Sequence, residues 1–192
     1  MARTYLQKPD RKAAHYSFVI GLLLLVFLLN GFIQGQTIWK SLEPRYTSCY
    51  SLVRGDFVGK DMVFGSGRTE NLSVLALYDG WYFPYDDSWS SLRQIYTELS
   101  TAYSPKAATE IYTSFTQSDT PLWIEKAGKL YQRDGFSGTN ALRGNPAFLL
   151  YQTQDTAVLC LRVEYDDGQC GMCFVHLIKT AAVWYIDEFI GL

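Results

Sequence analysis

The sequence predicts an α+β domain, a curved antiparallel sheet with two or three helices packed on one face, carried behind a single transmembrane helix. Three observations lead there. Ser17 to Ile33 is a run of 17 residues without a charged side chain. Two amphipathic helical periods, each with its own start signal, occupy the middle of the chain. Four β-prone segments divided by turn residues then run almost to the carboxyl end, and helices early with an antiparallel meander late is the α+β order.

The apolar run comes first. At about 1.5 Å per residue it lies at the short end of what a ~30 Å hydrocarbon layer requires. It is apolar all round, whereas a core helix of a small domain keeps a polar stripe. Arg3, Lys8, Arg11 and Lys12 precede it against Asp10 alone, a net charge of +3, so the amino end stays in the cytoplasm and Gln34 onward is translocated. A cleaved signal peptide has a shorter apolar region followed by small residues at the −3 and −1 positions. Ile33-Gln34-Gly35 and Gly31-Phe32-Ile33 each put a bulky residue at one of those positions, and no Cys follows at a lipobox position, so a retained anchor is expected. The expected organisation is a basic cytoplasmic tail (1–16), the anchor (17–34), a membrane-proximal stalk or linker (35–69) and an extracytoplasmic domain (70–192). Within the stalk, Thr37 to Val53 has a mixed pattern interrupted by Pro44, which reads as a stalk or short helix.

A chain of 192 residues fits one domain plus a tail. Hydrophobic residues make up 48% and aromatics 16%, enough for a core and unlike a disordered chain. Beyond residue 34 the chain carries 13 basic and 18 acidic residues, a net −5. With no clustered Lys and Arg there, nucleic-acid binding is not expected, and a partner with a basic cleft fits better.

Leu72–Tyr78 and Trp81–Tyr85, joined by Asp79-Gly80, form the strongest hairpin signal. A first helix is expected with Asp87 or Ser88 as cap and with Trp89, Leu92, Ile95, Leu99 and Tyr103 on one face. Ser104-Pro105 opens a second, burying Ala108, Ile111, Tyr112 and Phe115, and the two should pair antiparallel. Leu122–Glu125 and Lys129–Gln132 read as a second hairpin around a Lys-Ala-Gly turn. Arg133–Pro146 reads as a polar, Gly-rich loop, of a length that is often functional. Strands are expected at Ala147–Gln152, Thr156–Tyr165, Cys170–Lys179 and Ala182–Ile190. A turn at Asp166-Asp167-Gly168 sets Leu161 opposite Cys173 and Glu164 opposite Cys170.

Catalytic chemistry finds little support. His15 precedes the anchor, and His176 sits in a strand on the face of Met172, Phe174 and Cys160, without a Gly-x-Ser-x-Gly turn. Cys170-Gly-Met-Cys173 has CxxC spacing but lacks two further zinc ligands and a helix start. Cys173 belongs on the core side, so a Cys160–Cys173 bridge would join opposite faces, leaving Cys160–Cys170 as the geometrically open pair. Asp187 and Glu188 point to opposite faces and cannot share a proton. No metal site and no cofactor is expected. If an enzyme pocket exists, it lies between helices and sheet, where Glu125, His176 and Asp187 are the residues to converge.

Tyr78–Tyr85, Ser91–Leu99, Tyr103–Tyr112 and Trp123–Gln132, taken in that order, resemble the bacterial DL-endopeptidase inhibitor family, inhibitors of cell separation. The Ile-Glu-x-x-Gly-Lys-Leu-Tyr stretch and the helix–Ser-Pro–helix are its most specific parts. Val183-Trp-Tyr-Ile-Asp187 is also similar to the last strand of cystatin-like and nuclear-transport-factor-2-like domains. The resemblance spans roughly residues 70–190. It implies a non-catalytic protein outside a Gram-positive cell that blocks NlpC/P60-type peptidases, with an inter-strand loop against the enzyme. The comparable loop here is Arg133–Gly144, with Phe136 as apolar tip, Asp134 and Arg143 as rim contacts, and Asn140 beside them. The alternative is an anchored scaffold or ligand-binding domain of an envelope or sporulation complex that uses the sheet face.

Overall fold

One uninterrupted helix, α1 (Arg11–Arg54), joins what the sequence divides into anchor and stalk. At 44 residues it is about 66 Å long. The computed structural model describes residues 11–54, 82–84, 90–119, 121–133, 141–164 and 169–190. In chain order α1 is followed by β1 (Tyr82–Pro84), α2 (Leu92–Ala102), α3 (Pro105–Thr116), β2 (Trp123–Lys126), β3 (Lys129–Arg133), β4 (Ala141–Gln152), β5 (Thr156–Glu164), β6 (Cys170–Thr180) and β7 (Val183–Ile190). The structure is α+β with antiparallel sheets. Its described strands form two sheets, ordered β1-β3-β2 and β4-β5-β6-β7.

The two ends of α1 meet different surroundings. From Tyr16 to Asn30 every residue is exposed, including all of its large apolar side chains. Farther along, Ile38, Trp39, Leu42, Tyr46 and Cys49 recur at helical spacing and are buried in the main core. The expected stalk is therefore part of the domain. Pro44 lies inside α1, and its missing N–H leaves the Lys40 carbonyl without the usual helical donor. Packing outweighs that loss. Nearby, the Arg45 Nη2 donates to the Ser41 carbonyl at 3.3 Å and the Ser41 hydroxyl to the Ile38 carbonyl at 2.7 Å.

The helical pair follows the predicted periodicity but starts later. Ser91, not Asp87 or Ser88, caps α2, forming a capping box with Gln94; Asp87, Ser88 and Trp89 lie outside the described residues. Ile95 and Leu99 are buried as expected. Tyr103 is the extended C-cap rather than a helical residue, and bridges to Ile186 of β7. Ser104 caps α3, its hydroxyl accepting from the Ala107 N–H at 3.1 Å, with Pro105 at the first helical position. Ala108 is fully buried, and Ile111, Tyr112 and Phe115 pack against the core. The Tyr96 and Tyr112 rings meet edge to face at 5.5 Å between α2 and α3.

The β2–β3 hairpin turns through Ala127 (φ 51°) and Gly128 (φ 74°), the two left-handed residues that a tight hairpin demands. Tyr82–Pro84 pairs with β3, while Leu72–Tyr78 lies outside the described residues. In the larger sheet, Leu161 lies opposite Cys173 and Glu164 opposite Cys170, the register expected from the turn. Alternation then sends Leu159, Leu161, Val163, Cys173, Val175, Leu177, Trp184 and Ile186 inward, all buried. β4 begins at Ala141 rather than Ala147, with bulges between Arg143 and Ala147 and between Leu149 and Tyr151.

Candidate binding surface

The pocket residues separate into two places. Asp187 stands where the β6–β7 register shifts, which turns its carboxylate toward two partners. Oδ1 accepts from the Ser104 hydroxyl at 2.7 Å, and Oδ2 lies 3.3 Å from His176 Nδ1. The order is serine–carboxylate–imidazole, whereas a nucleophilic triad needs the imidazole between serine and carboxylate. Ser104 is also fully buried and holds the start of α3, so the cluster fastens the helix pair to the sheet. Glu125 does not join it. Its Oε2 accepts from the Leu92 N–H at 2.9 Å, at the far end of α2, about 15 Å from the Ser104 end at 1.5 Å per residue. The expected convergence of Glu125 with His176 and Asp187 is thus corrected, because each carboxylate serves a different helix start.

The space between helices and sheet is filled. Trp39 and Tyr46 from α1 meet with tilted rings at 5.5 Å, Phe115 meets Trp123 at 5.3 Å, and Trp39, Leu42, Ile95 and Leu99 are at most 2% exposed. Arg45, which sequence reading passed over, fixes this layer. Its Nη1 donates to the Thr101 carbonyl at 2.6 Å and its Nη2 to the Trp184 carbonyl at 2.9 Å, so one guanidinium ties α1 to the end of α2 and to β7. A cation beside the last carbonyls of a helix is favourable. The Cys49 thiol donates to the Glu98 carbonyl at 3.0 Å; burial pushes its pKa up to about 11, against the opposing hydrogen bond with Thr101.

Of the expected contact loop, Asp134, Phe136 and Asn140 lie outside the described residues. Arg143 does not lie in a loop: it belongs to β4 and pairs with Arg162 of β5, since the strand reaches back through a bulge. None of the four cysteines is in a disulfide. The Cys160–Cys170 pair that the sequence left open does not meet: Cys160 sits opposite Phe174, four strand positions from Cys170, about 13 Å away at 3.3 Å per residue. Cys170 instead accepts from the Arg162 guanidinium at 2.8 Å. Cys173 is buried, and burial foremost raises its thiol to about 11. Among the described residues no group of three metal-ligating side chains comes together.

What the sheet does present is a row on its outer face. Phe148, Cys160, Phe174 and Ile190 stand directly opposite one another in sequence across β4, β5, β6 and β7. Phe174 is 41% and Ile190 45% exposed. Arg162 and Met172 form the pair on one side, with His176 and Glu188 on the other. At the β4 end the row continues onto α1, where the Phe32 ring lies 5.4 Å from Phe148. Both sheet edges are covered. Tyr103 and Ser104 line β7, with the Ser104 N–H donating to the Ile186 carbonyl at 2.7 Å, and α1 lies along β4 at Gly31 and Gly35. Among the described residues, covered edges leave the outer face as the sheet's available surface. A groove of about 600 Å³ borders α1, but its described wall is one helix face, from Phe32 to Glu43.

No protein-family model matches the chain. No curated protein matches it either. Among the described residues there is one helix long and apolar enough to cross a membrane, and none of its most apolar stretch is buried in the domain.

Proposed function

We propose that this chain is a non-catalytic binding module, held at the outer side of a membrane by α1, that presents the row Phe148–Cys160–Phe174–Ile190 to a protein partner. The row carries the reading: its Phe174 and Ile190 are exposed apolar side chains on the outer face of the larger sheet, beside an interior already filled by Trp39, Leu42 and Tyr46. Binding faces of this kind take aromatic and aliphatic anchors with a polar rim, and Arg162, His176 and Glu188 supply the rim.

The partner to test first is a peptidoglycan DL-endopeptidase of the NlpC/P60 type, following the resemblance of the Trp123–Gln132 segment to inhibitors of such enzymes. Purified full-length chain in lipid nanodiscs is added to several such peptidases with peptidoglycan as substrate. Loss of cleavage at micromolar excess, relieved by Phe174→Asp, is the expected result. Undiminished cleavage across the set removes the inhibitor assignment. A scaffold of the cystatin-like or nuclear-transport-factor-2-like type, within an envelope or sporulation complex, is the second reading. It is favoured by the position of the row on a sheet face rather than on the 134–140 connection.

A further inference from the structure

α1 and β4 are in backbone contact where α1 changes from apolar to polar. A Cβ at Gly31 would lie 3.0 Å from the Leu149 carbonyl oxygen, and one at Gly35 would lie 2.6 Å from the Ala147 carbonyl oxygen and from the Leu149 nitrogen. On the same stretch the Gln34 Nε2 donates to the Asn30 Oδ1 at 3.0 Å, and Gln34 is the first polar side chain after the apolar run. Leu149 is therefore level with the last turn of that run.

The residues that follow on β4 are apolar and exposed. Leu150 is 52% and Tyr151 58% exposed, and the bulge between Leu149 and Tyr151 bends the strand and sets Leu150 outside the ladder. Because Gly35 meets Ala147 and Gly31 meets Leu149, β4 runs antiparallel to α1, so Tyr151, two residues beyond Leu149, lies up to about 7 Å from the Gly31 level on the side of the apolar run. The interfacial layer of a bilayer is about 5–8 Å deep on each side, so Tyr151 falls at its lipid-facing boundary.

The turn beyond supplies its own hydrogen bonds. The Thr153 N–H donates to the Thr156 carbonyl at 2.8 Å, and the Thr153 hydroxyl accepts from the Asp155 and Thr156 N–H groups at 3.3 and 3.0 Å. The Lys179 N–H donates to the Asp155 carbonyl at 2.8 Å, tying the turn to β6. A turn that satisfies part of its backbone internally suits a layer poor in water.

The geometry points to a second membrane contact: Leu150 and Tyr151 rest in the outer lipid interface of the bilayer that α1 spans. This rests on the anchored reading above. A tyrosine places its ring against acyl chains and its hydroxyl among head groups. A single helix leaves its domain free to turn about the helix axis. A second contact fixes that rotation and so fixes the direction in which the Phe148–Ile190 row faces.

The test is nitroxide accessibility in full-length chain carrying Cys160→Ser and Cys170→Ser, reconstituted in phosphatidylcholine/phosphatidylglycerol vesicles. Cys49 and Cys173 are buried, with thiols raised to about 11, and stay unlabelled at neutral pH. Single labels go at Leu24→Cys in the run, at Tyr151→Cys, and at Lys106→Cys on exposed α3. Tyr151 should show nickel-chelate access several-fold below Lys106, with oxygen access well above it, in the same sense as Leu24 but less extreme. Access at Tyr151 equal to Lys106, or closed to both reagents, while Leu24 reads as lipid, overturns the second contact and leaves the anchor standing. Leu24 reading as water removes the anchored reading and the contact with it.

Discussion

A Cβ on Gly35 would lie 2.6 Å from the Ala147 carbonyl oxygen, in a space where real Cβ atoms are essentially never found. Two backbones meet there without a side chain between them, and neither can retreat cheaply. Gly35→Ala should therefore lower the midpoint of thermal unfolding, by an amount corresponding to about 1–3 kcal/mol of overpacking. In an unobstructed helix the same change stabilises by up to about 1 kcal/mol. Gly21→Ala, with nothing within 4 Å of the added carbon, is the matching control and should not destabilise. Thermal unfolding of the detergent-solubilised chain reads both.

Leu42 distinguishes a core helix from a stalk. Its side chain is wholly buried, so Leu42→Ala should cost about 2–5 kcal/mol. A stalk residue would cost almost nothing. Chemical denaturation of the full-length chain followed by tryptophan emission measures the difference, since Trp39 lies in the same layer.

Arg45 reaches two carbonyls, of Thr101 and Trp184, with separate nitrogens. A lysine cannot reproduce that fork, so Arg45→Lys should lose at least one bond of about 1.5–3 kcal/mol. The unfolding midpoint should fall nearly as far for Arg45→Lys as for Arg45→Met. Full retention of stability by Arg45→Lys would mean that charge alone matters.

Cys49 and Cys173 give the fold an alkaline limit. Each thiol is raised from 9.0 to about 11 in the folded chain, chiefly by burial. The folded state thus holds protons that the unfolded state releases, so the stabilising difference is whole below pH 9 and is lost as pH rises toward 11. Stability should decline across that window, and Cys49→Ala/Cys173→Ala should flatten the decline. Tyr103, raised well above 10.0 by burial, contributes to the slope that remains, as do Tyr112 and Cys160, also raised chiefly by burial. Denaturation midpoints from pH 8 to about 11 test this.

Much of the fold could be read from local chemistry. The Ser104-Pro105 start, the Ala127-Gly128 turn and the register of Leu161 against Cys173 follow from cap, turn and period-two rules that act over a few residues. Pro44 is the main obstacle: with it inside the segment, 37–53 reads as a stalk or short helix, although Ile38, Trp39, Leu42, Tyr46 and Cys49 already keep a helical spacing. The Gly31 and Gly35 pair lay in plain view at the end of the apolar run, but only its partner strand explains it. Arg45, and the meeting of Asp187 with Ser104 and His176, depend on contacts between segments more than 50 residues apart in all but one case, and no local pattern encodes those. The outer row was half legible, since the expected face of His176, Met172, Phe174 and Cys160 is part of it.

In the proposed function α1 is anchor and core helix in one piece. Amide hydrogen exchange of the full-length chain in lipid nanodiscs, followed across Leu29 to Leu42, tests that most directly. Protection should pass without a gap from the lipid-covered run, through Gln34, Gly35 and Gln36, into the buried stretch at Ile38 and Trp39. A window at residues 34–37 exchanging as fast as unstructured peptide would contradict it and restore a flexible stalk between membrane and domain.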